Sequence, residues 1–362
     1  NEEWLRARGV STILGGEFES GLVALYRRLA ASKAPAAQPE PRVSLARQEF
    51  LPPERAGLPP LAHYAHVALE GGQHRTAGYT EASRGCKHTC RHCPIVPVYG
   101  GRFRVVQRAA VLEDVRQQVA AGAGHITFGD PDFFNGPGHA VALVHAMHAE
   151  FPALTYDVTI KIEHLLRHAA LLPALRDTGC LFITSAVESA DDATLARFDK
   201  RHTRADFVLA ASLLRELGLT LNPTFVTFTP WTTRQNYVEL LELIAELDLI
   251  EHVAPIQYAI RLLIPAQSRL LELPEVRALV QPFDSAALVY PWQHPDPGVD
   301  ALYRQVLGAV RVRRASRHEH FAEVLRLAQA ALGAPASARA QRELARRADW
   351  RPIPHMSEPW YC

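Results

Sequence analysis

The rhythm of the chain changes near Thr76. Before it, apolar positions come in short runs broken by proline. After it, brief apolar or alternating stretches take turns with longer segments whose apolar positions recur every three to four residues. The first kind reads as strand and the second as helix. In order, the pattern predicts strands over 77–83, 125–129, 155–161, 180–187, 220–228 and 253–262. Helices are predicted over 110–121, 139–151, 164–178, 191–198, 205–217 and 234–247. Six alternating strand–helix units imply an α/β fold with a parallel sheet. The expected architecture is a partial (β/α)6 TIM-like barrel, with active groups at the C-terminal ends of its strands.

The flanks follow other rules. Val10–Leu14 reads as a strand end, Gly15-Gly16-Glu17 as a helix start, and Leu22–Leu29 as a helix. Ser32–Pro41, rich in Ala and Pro, reads as linker. Beyond Pro265, helices are expected over 268–280, 298–312, 316–332 and 336–347. The aromatic, Pro-rich stretch 283–297 is expected to cover the barrel mouth. The predicted division is a 1–70 extension and linker, a 71–265 barrel, and a helical 266–362 region with a Cys-ended tail.

Charge narrows the partners. A net charge of +1 gives no electrostatic case for nucleic acid or an anionic membrane. No apolar run approaches the length that spans a bilayer. Five cysteines, three of them within eight residues, do not read as a secreted disulfide framework; a reducing cytoplasm is the expected setting.

Those three lie in Arg84-Gly85-Cys86-Lys87-His88-Thr89-Cys90-Arg91-His92-Cys93-Pro94, a C-x3-C-x2-C array at the end of the first barrel strand. Three thiolates on one loop can hold three irons of a [4Fe–4S] cube and leave the fourth open. The other reading is zinc, with His88 or His92 as fourth ligand, although the second Cys/His hairpin usual in zinc motifs is missing. Cys180, at the start of an apolar strand, reads as inert core, and His88 as a loop residue.

The array, with its order of strand ends, resembles the radical S-adenosylmethionine (SAM) superfamily. The resemblance implies a [4Fe–4S] cluster on Cys86, Cys90 and Cys93, with the amino and carboxylate groups of SAM on the open iron. It places SAM contacts on His92 beside adenine, on Gly129, Asp130 and Asp132 after the second strand, on Glu188 and Ser189 at the ribose, and on Asn222. Lys161 and Arg261 are candidates for the SAM carboxylate or an anionic substrate. Arg261 needs a carboxylate partner in a barrel interior, either SAM or Glu188. An electron donor of the reductase, flavodoxin or ferredoxin type is implied. The 1–70 segment resembles the tail of a cobalamin-binding-type domain, with no His motif for cobalt.

Residues 78–86, 90–99 and 125–133 are similar, more narrowly, to the radical SAM proteins named for a C-terminal CUAEP or CCAEP tail. One branch of that group makes arsinothricin. The resemblance implies transfer of the 3-amino-3-carboxypropyl group of SAM to trivalent arsenic. Cys362, expected to be the first residue of the tail, would present arsenite. The other enzymatic reading is 5′-deoxyadenosyl-radical chemistry on another small molecule or peptide; a zinc-binding interaction module is the third.

Overall fold

A computed structural model describes residues 2–31, 42–312, 315–333 and 353–357. The predicted linker 32–41, the predicted helix 336–347 and Cys362 lie outside the described residues. A seven-stranded, curled half-barrel sheet organises the rest. Its strands are β1 (His66–Ala68), β2 (His74–Thr80), β3 (His125–Phe128), β4 (Thr155–Thr159), β5 (Cys180–Glu188), β6 (Thr220–Phe225) and β7 (His355–Met356). The spatial order is β6-β5-β4-β3-β2-β1-β7. β2 through β6 pair in parallel, whereas β1 joins β2, and β7 joins β1, antiparallel.

Among the helices are α1 (Arg108–Ala120), α2 (Pro137–Glu150), α3 (Ile162–Arg167), α4 (Leu172–Asp177), α5 (Asp192–Phe198), α6 (Arg204–Glu216), α7 (Arg234–Glu246), α8 (Pro297–Val310) and α9 (Arg317–Leu332). Thr203, Thr233 and Ser316 each start a helix with a reciprocal capping box, which satisfies backbone donors the first turn leaves free. The helix expected over 164–178 is two short helices, α3 and α4, joined by a 3-10 turn. That expected over 268–280 is likewise a 3-10 turn, Arg269–Glu272, followed by a short helix, Pro274–Leu279.

Alternation along the strands sorts the two faces of the sheet. Ile126, Phe128, Tyr156, Val158, Ile183, Val187, Leu221 and Phe225 join the main apolar cluster with the helices. Burying each such side chain contributes roughly 1.5–3 kcal/mol. The intervening residues, Tyr79, Thr127, Asp157, Thr159, Thr184, Glu188 and Thr224, line a cavity on the concave side. Polar residues at every second position make the hollow; apolar ones between them attach the wall to its helices.

The sixth unit departs from expectation. Residues 253–262 do not form a strand: Pro255–Ala259 is a 3-10 turn. A single parallel bridge, Phe228 to Arg261, is what remains of the pairing. Pro255 has no N–H to donate. The Phe225 N–H that a sixth strand would engage donates instead to the Gln257 side chain at 2.9 Å. The predicted strand end over 10–14 is also reduced: Gly15–Gly16 pairs in parallel with Val43–Ser44, and the helix that follows runs Glu19–Ala31. No helix among the described residues is long and apolar enough to cross a membrane.

Candidate active site at the cysteine loop

After β2 the chain forms Ser83–Gly85, which pairs antiparallel with Phe103–Val105 and closes the cysteine loop at its base. Gly85 sits at φ +74°, and a Cβ there would come within 2.4 Å of the Tyr99 ring and 2.6 Å of the Arg102 carbonyl oxygen. Only glycine fits that corner. Three neighbours pin the loop from outside. The Lys87 N–H donates to Asn135 Oδ1 at 3.1 Å, the Arg91 N–H to the Phe198 carbonyl at 2.9 Å, and the Arg269 guanidinium to the Thr89 carbonyl at 2.7 Å. The Gly15-Gly16-Glu17 triplet also packs here. Buried Glu17 accepts from the Tyr99 hydroxyl at 3.0 Å and lies 3.7 Å from Arg84.

Cys86, Cys90 and Cys93 are free thiols that line the same cavity, of about 1680 Å³. Burial pushes the Cys86 thiol up to about 11 and raises Cys93 as well. Desolvated thiols ionise when a cation takes the proton's place. Cys180 is buried elsewhere, its thiol donating to the Phe182 carbonyl at 3.4 Å and pushed well up by burial. Three loop thiols with no fourth at the cavity among the described residues match a [4Fe–4S] cube with one iron left for another ligand.

The rim beside this loop comes from successive strand ends. After β3, the Gly129 N–H donates to the Thr80 carbonyl at 2.9 Å, and a Cβ at Gly129 would meet the Tyr79 hydroxyl at 1.8 Å. Asp130 ties this turn to the cysteine loop by accepting from the Ala82 N–H at 2.8 Å and the Ser83 hydroxyl at 2.5 Å. Burial raises its carboxyl to about 7. Asp132 accepts from the Phe134 N–H through Oδ1, while Oδ2 lies 2.7 Å from His164 Nδ1 and 3.6 Å from His88 Nε2. Burial works to raise this carboxyl, but the two imidazoles hold it below its ordinary value. After β4, Lys161 Nζ lies 3.1 Å from His88 Nδ1 and 3.3 Å from Glu163.

Glu188 ends β5 with φ +68°, a strained value for a residue with a Cβ. The turn aims its carboxylate at His92 Nε2, 3.0 Å away, and at Lys200 Nζ, 3.2 Å away. Burial would raise Glu188, but Lys200 and His92 outweigh it and hold the group at about 2. His92 packs on the Phe198 ring at 4.4 Å between centroids.

Three expected contacts stand apart. The Ser189 hydroxyl accepts from the Asp191 N–H at 3.0 Å and does not line the cavity. Asn222 is buried, with Oδ1 lacking a hydrogen-bond partner, but does not reach the cavity wall. Arg261 does line it, yet its carboxylate partner is Asp300 at 2.7 Å, not Glu188, and Trp292 covers its guanidinium at 3.7 Å.

Sequence reasoning missed other residues. His88, read as a loop residue, is buried with Asp132 and His164. Lys200 is 4% exposed and pairs with Glu188 at 3.2 Å. Its neighbours Asp199 and Arg201 both sit at positive φ, which folds Lys200 inward. The 55–64 segment also borders the cavity, through Arg55, Leu58 and Tyr64.

Residues 80–247 match the model of the Radical SAM superfamily, so the chain carries a radical SAM domain. Domains of this kind use a [4Fe–4S] cluster and SAM. The tRNA-2-methylthio-N(6)-dimethylallyladenosine synthase of Desulfosudis oleivorans is 26% identical over 201 residues, 53% of this chain and 42% of that protein. The hopanoid C-3 methylase of Methylococcus capsulatus is 26% identical over 151 residues, 42% of this chain and 29% of that one. This chain thus spans less than half the length of either relative. The fold also matches the cobalamin-dependent SAM radical enzyme OxsB, solved with aqua-cobalamin and SAM bound. The TM-score is 0.56 at 15% identity, over 75% of this chain and 45% of that one.

Proposed function

We propose that this chain is a radical SAM transferase that moves the 3-amino-3-carboxypropyl group of SAM onto trivalent arsenic. The observation that carries the first half is the single cavity shared by three free loop thiols and the polar rim after β3, β4 and β5. Cys86, Cys90 and Cys93 would hold a [4Fe–4S] cluster, which when reduced would supply the electron that breaks a C–S bond of the sulfonium. His92, Gly129, Asp130 and Glu188 would frame SAM beside it. At about 1680 Å³ the cavity exceeds the roughly 300–1,000 Å³ of an ordinary ligand pocket, room for cofactors and a substrate together.

The second half rests on the likeness of residues 78–86, 90–99 and 125–133 to the arsinothricin branch. Breaking the Cγ–S bond releases methylthioadenosine, and a C–As bond forms at the arsenic lone pair. Arsenic passes from the trivalent to the pentavalent state, so the electron spent on the sulfonium is recovered. A reductase, flavodoxin or ferredoxin would then serve to prime the enzyme. Cys362 is proposed to present the thiophilic arsenite, and a reducing cytoplasm would suit both thiols and cluster.

Anaerobic incubation with SAM, dithionite and arsenite tests this. Methylthioadenosine forming in step with an organoarsenical is expected. Appearance of 5′-deoxyadenosine alone would replace the reading with radical chemistry on another molecule. S-adenosylhomocysteine would indicate methyl transfer, the reaction named for the hopanoid relative.

A further inference from the structure

Behind the cysteine loop, three side chains from three successive strand ends meet in a buried cluster. His88 comes from the cysteine loop after β2, Asp132 from the turn after β3, and His164 from the first turns of α3 after β4. They are 7%, 1% and 3% exposed. His88 Nε2, Asp132 Oδ2 and His164 Nδ1 lie within 4.8 Å of one another. Each of these atoms is fully buried and lacks a hydrogen bond of good geometry, its close contacts being within the cluster. Leaving even one buried polar atom unsatisfied costs about 1–3 kcal/mol. Three such atoms converge at 2.7 and 3.6 Å, paired by imperfect contacts among themselves and close enough to share one bound ion.

We propose that His88, Asp132 and His164 form a second metal site, for a divalent first-row ion such as zinc(II) or iron(II). Two imidazoles and one carboxylate are a donor set for such ions. Ligand atoms about 2.0–2.1 Å from a tetrahedral ion lie roughly 3.3 Å apart. The observed separations fall on either side of that value, so small side-chain shifts suffice. The opposite atoms of two ligands are already engaged. Asp132 Oδ1 accepts from the Phe134 N–H at 3.1 Å, which leaves Oδ2 for the ion. His88 Nδ1 faces Glu163 Oε2 at 3.6 Å. Nδ1 also lies 3.1 Å from the Lys161 ammonium, which can only donate; with a metal on Nε2, Nδ1 carries the proton, Lys161 turns from it onto Glu163, and Glu163 accepts the Nδ1 proton, a carboxylate–histidine–metal arrangement. Lys161 keeps its own 3.3 Å bond to Glu163.

His88 and Asp132 also line the main cavity. Three protein ligands leave at least one position of the ion open. An ion here would tie the cysteine loop to two neighbouring strand ends and offer its open position to a molecule bound beside the cluster. The site does not depend on which group is transferred, so its test can fail without touching the proposed reaction.

The test uses the full chain with its cluster reconstituted, equilibrated with zinc chloride and desalted. The expected result is one zinc per chain in addition to about four irons, with a zinc K-edge spectrum showing nitrogen and oxygen neighbours and no sulfur shell. H164Q should keep its iron and sulfide and bind zinc about 100-fold or more weakly; E163Q should weaken it by about 10- to 100-fold. A sulfur shell would place the zinc on the cysteines and overturn the proposal. So would absence both of zinc and of iron beyond the cluster's four from the reconstituted protein, or undiminished zinc in H164Q. The absorption spectrum needs only the wild-type chain and decides the matter even if a variant fails to fold.

Discussion

The half-barrel holds two buried histidine–aspartate groups, and they are built to opposite ends. Near the start of the strands, His125 Nδ1 meets the Thr155 hydroxyl at 2.9 Å and Nε2 meets Asp157 at 2.9 Å. The Thr127 hydroxyl donates to that same carboxylate at 2.7 Å. No side-chain atom of that group is buried without a partner. At the strand ends, His88, Asp132 and His164 are also buried, yet one atom of each lacks a well-formed hydrogen bond. Same residue types, both buried, opposite bookkeeping. A closed polar network specifies a fold; an open one keeps its lone pairs for a ligand.

The Glu188–His92–Lys200 trio stands between these extremes. It is paired internally, but with a strained backbone and with its carboxylate at the cavity wall. Strain held at a cavity wall by surrounding pairs is typical of ligand sites.

The contrast can be broken in four ways. The largest expected effect is from Cys90→Ala. With only two loop thiols left, iron and sulfide content and SAM cleavage should fall to background in an anaerobic assay; retained turnover would remove the cysteine loop from the reaction. Next is Glu188→Gln, which leaves the buried Lys200 ammonium without its carboxylate and should cost about 3 kcal/mol in a denaturant titration. In the wild type, this carboxylate sits at about 2 folded and near 4.5 unfolded. Its stabilisation is therefore complete above pH 4.5 and lost as the pH falls towards 2; the variant should lack that component.

Asp157→Asn and Asp132→Asn compare the two groups directly. The first breaks a satisfied network and should cost about 1–3 kcal/mol. The second keeps the helix-capping acceptor, since Asn caps as well as Asp, and should change metal-free stability by under about 1 kcal/mol. Zinc should then raise the melting temperature of the Asp157 variant but not of the Asp132 variant. Equal losses in both, with equal responses to zinc, would erase the distinction.

Much of the barrel is legible in the sequence because its signals are local. Five strand–helix units follow from periodicity, and the cysteine loop from spacing within eight residues. The sixth unit misleads because 253–262 is apolar enough for a strand; only the structure shows Gln257 taking the ladder's hydrogen bond. Lys200 is hidden because two left-handed residues turn it inward, and non-glycine residues carry little sign of that conformation. His88, Asp132 and His164 are 32 to 76 positions apart, and no spacing rule connects them. Only the parallel sheet, which brings successive strand ends to one rim, does so.

The β7 strand has a consequence of its own. Met356 sits in the cavity wall, its sulfur 3.6 Å from the Thr127 hydroxyl, while its backbone is stitched to β1. Peeling β7 away from β1 would therefore withdraw a side chain from the cavity wall without altering any residue of the cysteine loop.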